Sequence, residues 1–204
     1  MVDPARIFLL SPARASGLRA EQLSRSKTEL GLALQSEHGA ALGDVFAFLS
    51  SLYFRGKLTY AVQFGAPALS VPGTLVITPG HGLCRPSTRI RAAELARIGQ
   101  IEVAISNPSY VQPLLRDARV LASAMPAHAQ VVLLGSIASD KYLDVLGEAL
   151  GERLYYPPAF IGRGDMSRGG LLLRSAASDV ELDYAPLTAQ SARHGVRPPR
   201  LDRR

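Results

Sequence analysis

A polar, glycine-punctuated stretch in the last quarter of the chain holds the densest set of side chains suited to chemistry. It reads Gly162-Arg163-Gly164-Asp165-Met166-Ser167-Arg168-Gly169-Gly170 and lies between two apolar runs. Its glycines let backbone N–H groups turn toward a bound group without obstruction from a Cβ atom. The pattern predicts a loop that binds an anion, with an ordinary connecting loop as the alternative. Asp165 is a candidate catalytic base, and the candidate ligand-binding residues are Arg163, Gly164, Ser167, Arg168 and Gly169.

A second candidate catalytic residue is His81, which follows the apolar run 74–77 in the turn Thr78-Pro79-Gly80-His81-Gly82. The run predicts a buried strand, so the histidine is expected at the strand's carboxyl end. A histidine with an ordinary pKa of about 6.5 can transfer protons at neutral pH. A surface histidine without a partner is the alternative.

Residues 52–64 have the periodicity of a helix, with Ser50 and Ser51 as candidate N-cap residues. One face is apolar, and Tyr53, Lys57 and Tyr60 share another face at helical spacing. A lysine between tyrosines can hold a phosphate while the rings stack on a base, so all three are candidate ligand-binding residues. Amphipathic tyrosines beside a lysine at the border of a buried helix face are the alternative.

Two further candidates follow predicted strands. The run 7–10 leads into a polar loop with Arg14, and the run 131–134, the clearest central strand, leads through Gly135 and Ser136 toward a helix at 141–150. Ligands bind outside the carboxyl ends of strands in open α/β sheets, and unpaired N–H groups at a helix start favour anions. Arg14 and Ser136 are therefore candidate ligand-binding residues, while Ser139 or Asp140 is expected to cap the helix.

Apolar strands that alternate with helical segments predict an α/β protein, a three-layer sandwich with a mostly parallel central sheet. Helices are predicted at 29–34, 42–49, 93–98 and 110–124. Further strands are predicted at 153–156, at 101–105 as an edge strand, and at 171–174 and 180–184 as closing strands. The organisation is one domain over residues 1–187, followed by a basic tail over 188–204 that is expected to be disordered.

Composition narrows the function classes. The chain has 204 residues with 47% hydrophobic and 20% charged, no run long enough to span a membrane and no signal-peptide pattern, so a cytoplasmic location is expected. A single cysteine and scattered histidines predict no disulfide, no metal site and no cofactor. Walker A and nucleophile-elbow motifs are absent. From residue 188 onward, five arginines and one aspartate carry four of the six net positive charges, which suits phosphate contacts or simple solubilisation.

Several segments together resemble an uncharacterised family of bacterial α/β proteins over about residues 6–187, and in outline they are similar to the uracil-DNA-glycosylase-like fold. These segments are LLSPAR, SSLYFRGKLTYA, ITPGHGL, LLGSIASDKY and GRGDMSRGGLLLR. The resemblance implies a nucleobase or nucleic-acid pocket at the strand ends, with His81 as a loose counterpart of the glycosylase histidine. The loop Ser11-Pro12-Ala13-Arg14 has no carboxylate or amide where a glycosylase carries its water-activating motif.

The sequence thus predicts a cleft at one edge of the sheet that gathers Arg14, His81, Ser136, Arg163, Asp165 and Arg168. The expected ligand is a small nucleobase-, nucleoside- or nucleotide-like molecule, and the protein would be an enzyme if Asp165 and His81 transfer protons on it. The alternative is a noncatalytic nucleic-acid-binding module that uses the basic loops and the tail. A third possibility is an assembly component whose loop at 162–170 is an interface.

Overall fold

The computed structural model describes residues 5–67, 71–138, 140–192, 194–196 and 198, and these form an α/β fold. The strands are β1 (Arg6–Leu10), β2 (Ala40–Ala41), β3 (Thr74–Thr78), β4 (Gly82–Cys84), β5 (Arg89–Ile90), β6 (Gln130–Leu134), β7 (Leu154–Tyr156) and β8 (Ala185–Pro186). The helices are α1 (Leu18–Arg25), α2 (Glu29–Gln35), α3 (Leu42–Ser50), α4 (Leu52–Phe64), α5 (Ala92–Gln100), α6 (Pro108–Ala124), α7 (Asp140–Leu150) and α8 (Asp165–Ser178).

The central sheet has the strand order β4-β3-β1-β6-β7-β8. The four inner strands are parallel, while β4 and β8 pair antiparallel at the two edges. Strand β1 pairs along its whole length with β6, from Arg6 opposite Gln130 to Leu10 opposite Leu134. The expected mostly parallel sheet is therefore confirmed, and a separate two-stranded ribbon joins β2 to β5.

Helices cover both faces of this sheet, as a three-layer sandwich requires. Alternate residues of β1 point to opposite sides: Phe8 and Leu10 pack in a core with α1 to α5 and α8, and Ile7 and Leu9 pack in a second core with α6 and α7. Both faces of the inner strands are buried, which explains their continuous apolar runs. The predicted strands at 7–10, 74–77, 131–134 and 153–156 are confirmed, as are the predicted helices.

Helix α8 is the largest departure from the sequence prediction, which placed a loop at 162–170 and a strand at 171–174. Residues 165–178 form one helix instead. Gly169, Leu172 and Ala176 are buried at three- and four-residue spacing, so one face of α8 packs on the rest of the protein. A glycine pair disfavours a helix locally, and this tertiary packing overrides that preference.

The predicted closing strand at 180–184 is wrong as well, because this segment pairs with no strand and β8 occupies residues 185–186. Its polar groups bond elsewhere: the Leu182 N–H donates to the Tyr60 hydroxyl at 2.8 Å, and the Glu181 carboxylate accepts from Arg6. These side-chain bonds replace the ladder that a strand would have formed.

The predicted edge strand at 101–105 is also wrong, since β4 and β8 take the two sheet edges. Residues 101–105 form an irregular connection between α5 and α6. Ile101 and Val103 are partly buried against the second core. Their alternation with polar residues therefore reflects a loop laid over the protein, which has the same two-residue period as a half-buried strand.

The predicted serine cap of α4 is at the expected position but does not form the expected hydrogen bond. Ser51 directly precedes α4, but its side chain makes no capping hydrogen bond. Its backbone has φ 52°, in the left-handed region that is uncommon for residues other than glycine. Ser51 is the single residue between α3 and α4, and the tightness of this turn accounts for its conformation. Ser139, the other predicted cap, lies outside the described residues, and Asp140 is the first residue of α7.

About half of the predicted basic tail, including all five of its arginines, lies outside the described residues. Within the described part of the chain, none of the helices combines the length and the apolar composition needed to cross a membrane.

Helices α4 and α8 cross with their backbones in close contact. A Cβ atom added at Gly169 would lie 2.7 Å from the Leu52 carbonyl oxygen and 2.8 Å from the Tyr53 Cα. A Cβ atom at Gly56 would lie 2.7 Å from the Gly169 carbonyl oxygen. Backbone atoms cannot move aside as a flexible side chain can. Gly169, a predicted ligand-binding residue, is therefore a helix-packing residue.

We expect Gly169→Ala to lower the free energy of unfolding by about 1–3 kcal/mol, because the new methyl group forces the two helices apart. The matched control is Gly147→Ala in α7, where the added Cβ meets only a Leu143 side-chain carbon at 3.8 Å. That control should stabilise the protein by about 0.5–1 kcal/mol through the helix preference of alanine. Urea unfolding of the three proteins measures both effects, and equal stabilities of the two variants would contradict the packing role.

Candidate functional site

The sheet has a topological switch point between β1 and β6. From β1 the chain passes to β3 on one side, and from β3 it crosses to β6 on the other side of β1. The loops that follow β1 and β6 therefore leave the sheet in different directions, which opens a crevice at the carboxyl ends of these strands. A cavity of about 380 Å³ lies there. Its lining consists of Ser11, Pro12, Ala13, Arg14, Leu49, Ser50, Tyr53, Ser136, Lys141, Tyr142 and Asp165.

Four of the residues predicted from sequence line this cavity: Arg14, Tyr53, Ser136 and Asp165. Arg14 comes from the loop after β1, and Ser136 from the loop after β6. Tyr53 lies in the first turn of α4, and Asp165 is the first residue of α8. The structure thus brings together residues that are more than 150 positions apart in the sequence.

The other predicted residues of the glycine-rich stretch are used within the protein. The Arg163 guanidinium donates to the Ala159 carbonyl oxygen at 3.0 Å and to the Ser167 hydroxyl at 3.1 Å. Gly164 is exposed at the start of α8. These three residues do not line the cavity. Most of the predicted anion-binding loop at 162–170 therefore belongs to the start of α8, and Arg163 is hydrogen-bonded to neighbouring residues.

His81 does not line the cavity. It is exposed in the turn between β3 and β4, and its backbone N–H donates to the Thr78 carbonyl oxygen at 2.9 Å. The turn lies at the same edge of the sheet, but β3 is on the far side of β1 from the switch point. The expected gathering of His81 with Asp165 at the cavity is therefore wrong.

Arg168 and Asp165 form an ion pair along α8, with 3.6 Å between the Arg168 Nη1 and Asp165 Oδ1 atoms. Arg168 is buried, and its guanidinium also donates to the Phe160 carbonyl oxygen at 3.2 Å. The Asp165 side chain is 70% exposed, so its carboxylate remains accessible to a bound molecule. Arg168 supports the cavity from behind and does not contact its interior.

The face with Tyr53, Lys57 and Tyr60 is buried, so it offers no open surface for stacking on bases. Tyr60 lies in the core: its hydroxyl bonds to the Tyr184 hydroxyl and accepts the Leu182 N–H, and its ring packs edge-on against Phe8. The prediction of Tyr60 as a ligand-binding residue is therefore wrong. The physical reason is that β1 and α8 pack against this face of α4, and the exposed face of the helix carries Arg55, Thr59, Val62 and Gln63 instead.

Lys57 is 1% exposed and lies directly beneath the cavity. Its Nζ atom is 2.5 Å from the Ser11 carbonyl oxygen and 2.8 Å from the Ser11 Oγ atom. The rings of Tyr53 and Phe54 lie 4.4 and 4.9 Å from Nζ. Burial lowers the pKa of Lys57 to about 7, with Arg168 lowering it further and Asp165 opposing the shift. Lys57 acts on the cavity through Ser11 and does not line it itself.

Two tyrosines enclose the cavity. The Tyr53 hydroxyl is buried and, apart from a contact with the Arg168 side chain, has no hydrogen-bond partner among the described residues. Burial raises the pKa of Tyr53 to about 12, and the charge of Arg168 opposes this rise. Burial also raises the pKa of Tyr142, although its hydrogen bond to Ser11 opposes the rise. Both phenols are therefore neutral at physiological pH.

Sequence reasoning missed Ser11, Lys141 and Tyr142. Ser11 was the easiest to find, because it is the first residue after a buried parallel strand, where α/β proteins place their ligand-binding groups. Lys141 and Tyr142 lie in the first turn of α7, which follows β6 by the same rule. A polar residue directly after a predicted strand is a sequence signal for a ligand-binding position, but every strand end has such residues. Only the strand order shows which strand ends border the crevice.

A second cavity of about 380 Å³ adjoins the first on the other side of the loop 12–16. The two cavities share Pro12, Ala13, Arg14, Lys141 and Tyr142. Pro79 and the segment 98–103 complete the second lining. The loop after β1 thus lines two neighbouring cavities at the carboxyl ends of the strands, and Arg14 and Lys141 border both of them.

In comparisons with known proteins, no family model, no curated protein and no solved structure matches this chain. The similarity to the uracil-DNA-glycosylase-like fold therefore stays a prediction. Within the described ranges, no three His, Cys, Asp or Glu side chains come together in a group that could hold a metal ion.

The buried position of Lys57 makes the stability of the protein depend on pH. The pKa is about 7 in the folded protein against 10.5 for an ordinary lysine, so between these values the unfolded chain carries a proton that the folded protein lacks. The contribution of Lys57 to the free energy of unfolding should therefore rise with pH across this window, by at most about 1.4 kcal/mol per pH unit. Below about pH 7 both states are protonated and the contribution is constant.

Urea unfolding of wild type and Lys57→Met at pH 6.5 and 9.5 tests this expectation. The stability of wild type relative to the variant should increase at the higher pH, since other titrating groups are shared and cancel in the difference. Lys27→Met removes an exposed lysine and is the matched control, which should show no such change. Parallel pH profiles for wild type and Lys57→Met would show that Lys57 titrates alike in the folded and unfolded states.

Proposed function

We propose that the cavity between β1 and β6 binds a small anionic ligand with a planar ring, of the nucleobase, nucleoside or nucleotide class. The observation that carries the proposal is that Arg14 and Lys141, which form no salt bridge with a described residue, line the cavity at the topological switch point.

The charges around the cavity support an anionic ligand. Arg14 and Lys141 both border it, and neither forms a salt bridge with a described residue. The negative charge of Asp165 is offset in part by Arg168 at 3.6 Å. An arginine binds phosphate or carboxylate groups through paired hydrogen bonds, and a lysine binds them as a point charge. The balance of these groups favours a bound anion.

The size and walls of the cavity support a ligand with a ring. A volume of about 380 Å³ lies in the range that small-molecule sites occupy. Tyr53, Tyr142 and Leu49 are buried and contribute only small exposed parts of their side chains to the walls, and the Ser136 and Asp165 side chains can accept hydrogen bonds from the ring or from a sugar hydroxyl. The proposal assigns Asp165 a role in orientation. It assigns no proton transfer to His81, because His81 is not at this cavity.

Thermal-shift measurements with uracil, uridine, uridine monophosphate, adenosine monophosphate and inorganic phosphate test the proposal. A ligand present at about 100 times its Kd stabilises the native state by about 2.7 kcal/mol. For a domain of this size we expect a Tm increase on the order of 5–10 °C. A nucleoside monophosphate should raise Tm more than either phosphate or the free base, because it engages both the cations and the ring surface.

Variants connect this binding to the cavity. Arg14→Ala and Lys141→Ala should each weaken binding about tenfold or more, since a hydrogen bond to a charged group is worth about 1.5–3 kcal/mol. Lys27→Ala removes the same charge from an exposed position outside the lining and should leave binding unchanged. Absence of a Tm change with every compound would contradict the proposal. Binding of a single-stranded oligonucleotide alone, weakened equally by all three variants, would favour the nucleic-acid-binding module instead.

A further inference from the structure

Ser11 and Lys57 form a pair whose geometry the proposed ligand binding does not explain. The Ser11 Oγ atom lies 2.8 Å from the Lys57 Nζ atom, and Ser11 lines the cavity. A nucleophile within hydrogen-bond reach of a base, with the base oriented by a third group, is the arrangement of covalent catalysis. Here the third group is the Ser11 carbonyl oxygen, which accepts a hydrogen bond from the same Nζ atom.

We propose that Ser11 is a nucleophile and Lys57 its general base, and that the protein hydrolyses a small anionic ester or amide bound in this cavity. The inference rests on the proposed function for the anionic character of its substrate, but the Ser11–Lys57 pair is an independent observation. The reacting groups come from the end of β1 and from α4, so two buried elements hold them in place.

The chemistry balances without any further reactant besides water. Neutral Lys57 takes the proton from the Ser11 hydroxyl while Oγ bonds to the substrate carbonyl carbon, and the carbonyl π electrons move to oxygen. The tetrahedral intermediate collapses, the bond to the alcohol or amine breaks, and protonated Lys57 gives its proton to that leaving group. Water then attacks the acyl-Ser11 ester with Lys57 again as base, which releases a carboxylic acid and restores the Ser11 hydroxyl.

The loop after β1 supplies donors for the oxyanion of this intermediate. The backbone N–H groups of Ala13 and Arg14 make no hydrogen bond to another described residue, and both residues line the cavity. Unpaired N–H groups beside a nucleophile are the usual stabilisers of developing negative charge in acyl transfer. Arg14 and Tyr142 also line the cavity, and the Tyr142 hydroxyl is hydrogen-bonded to Ser11.

The surroundings of Lys57 suit a base that works near neutral pH. An ordinary lysine stays protonated at pH 7 and cannot accept a proton, but burial holds the pKa of Lys57 at about 7. The groups that face it are Ser11 beyond β1, Tyr53 and Phe54 on α4, and the charges of Asp165 and Arg168 on α8. Asp165 raises the pKa and Arg168 lowers it, so these two charges oppose each other at the base.

A fluorophosphonate probe tests the pair directly. Attack by Ser11 on phosphorus forms a P–O bond and expels fluoride, and mass spectrometry of the intact and digested protein locates the adduct. We expect labelling at Ser11 in wild type, none in Ser11→Ala, and a rate at least about 100-fold lower in Lys57→Met, the usual loss when a general base is removed. The labelling rate should rise with pH through a midpoint near 7, as Lys57 loses its proton.

The pH profile of Ser11 labelling in Asp165→Asn provides a second test, which does not depend on the folding of Lys57→Met. Loss of this exposed carboxylate removes an interaction that raises the pKa of Lys57, so the midpoint of the pH profile should move to lower pH. A merely structural contact between Ser11 and Lys57 would produce no such movement. Absence of a Ser11 adduct on folded wild type between pH 6 and 9, or a pH profile that is identical in Asp165→Asn, would overturn the proposal.

The two proposals fail in different ways. If a nucleoside monophosphate raises Tm but Ser11 is never labelled, the cavity binds the ligand and the nucleophile assignment is wrong. If Ser11 is labelled but no compound of the thermal-shift series binds, the nucleophile assignment holds and the nucleobase-containing ligand class is wrong.

Discussion

The close crossing of α4 and α8 is the constraint on which the rest of the site depends. Gly56 and Gly169 have no side chains between them, so the two helix backbones approach to a distance that any Cβ atom would prevent. This contact seals one side of α4, while β1 covers another. Lys57, one position after Gly56, is consequently almost fully buried, and its amine faces Ser11 at the cavity.

Three features of the cavity follow from that enclosure. The Lys57 amine must find its hydrogen bonds inside the protein, and the Ser11 carbonyl and hydroxyl oxygens provide them. Its pKa falls because burial penalises the charged form. Helix α8 begins beside the cavity, which places Asp165 at the opening and Arg168 behind it, where their opposite charges act on the same lysine. The hydrogen bonds of Lys57, its lowered pKa and the positions of Asp165 and Arg168 thus all follow from the close crossing of α4 and α8.

The elements that the sequence predicted well are those whose pattern has a local cause. The strand of residues 7–10 is buried on both faces and therefore reads as an unbroken apolar run. Helix α6 shows apolar residues at three- and four-residue spacing because a single face packs on the sheet. In both cases, the side chains that define the pattern also make the contacts that stabilise the element, so the pattern can be interpreted without a tertiary structure.

The elements that were predicted wrongly owe their conformation or burial to contacts with residues that are distant in the sequence. Residues 165–178 contain a glycine pair that suggests a loop, yet one of those glycines is what admits α8 against α4. Tyr53, Lys57 and Tyr60 form a polar face by sequence. That face is buried because Ser11 oxygens accept from Lys57, and the Leu182 N–H group and the Tyr184 hydroxyl bond to Tyr60. A residue type shows what bonds a side chain can make, but not whether water or protein will make them.

The sequence by itself determined the fold class, the inner strands, most of the helices and the expectation that polar groups gather at the carboxyl ends of the strands. Strand order, and with it the crevice between β1 and β6, was decided only by the tertiary structure. That order separates His81 from Asp165, and the packing of α4 on β1 joins Ser11 to Lys57. The physical reason is that periodicity records whether a residue faces the interior, whereas the identity of its neighbour depends on how distant segments pack.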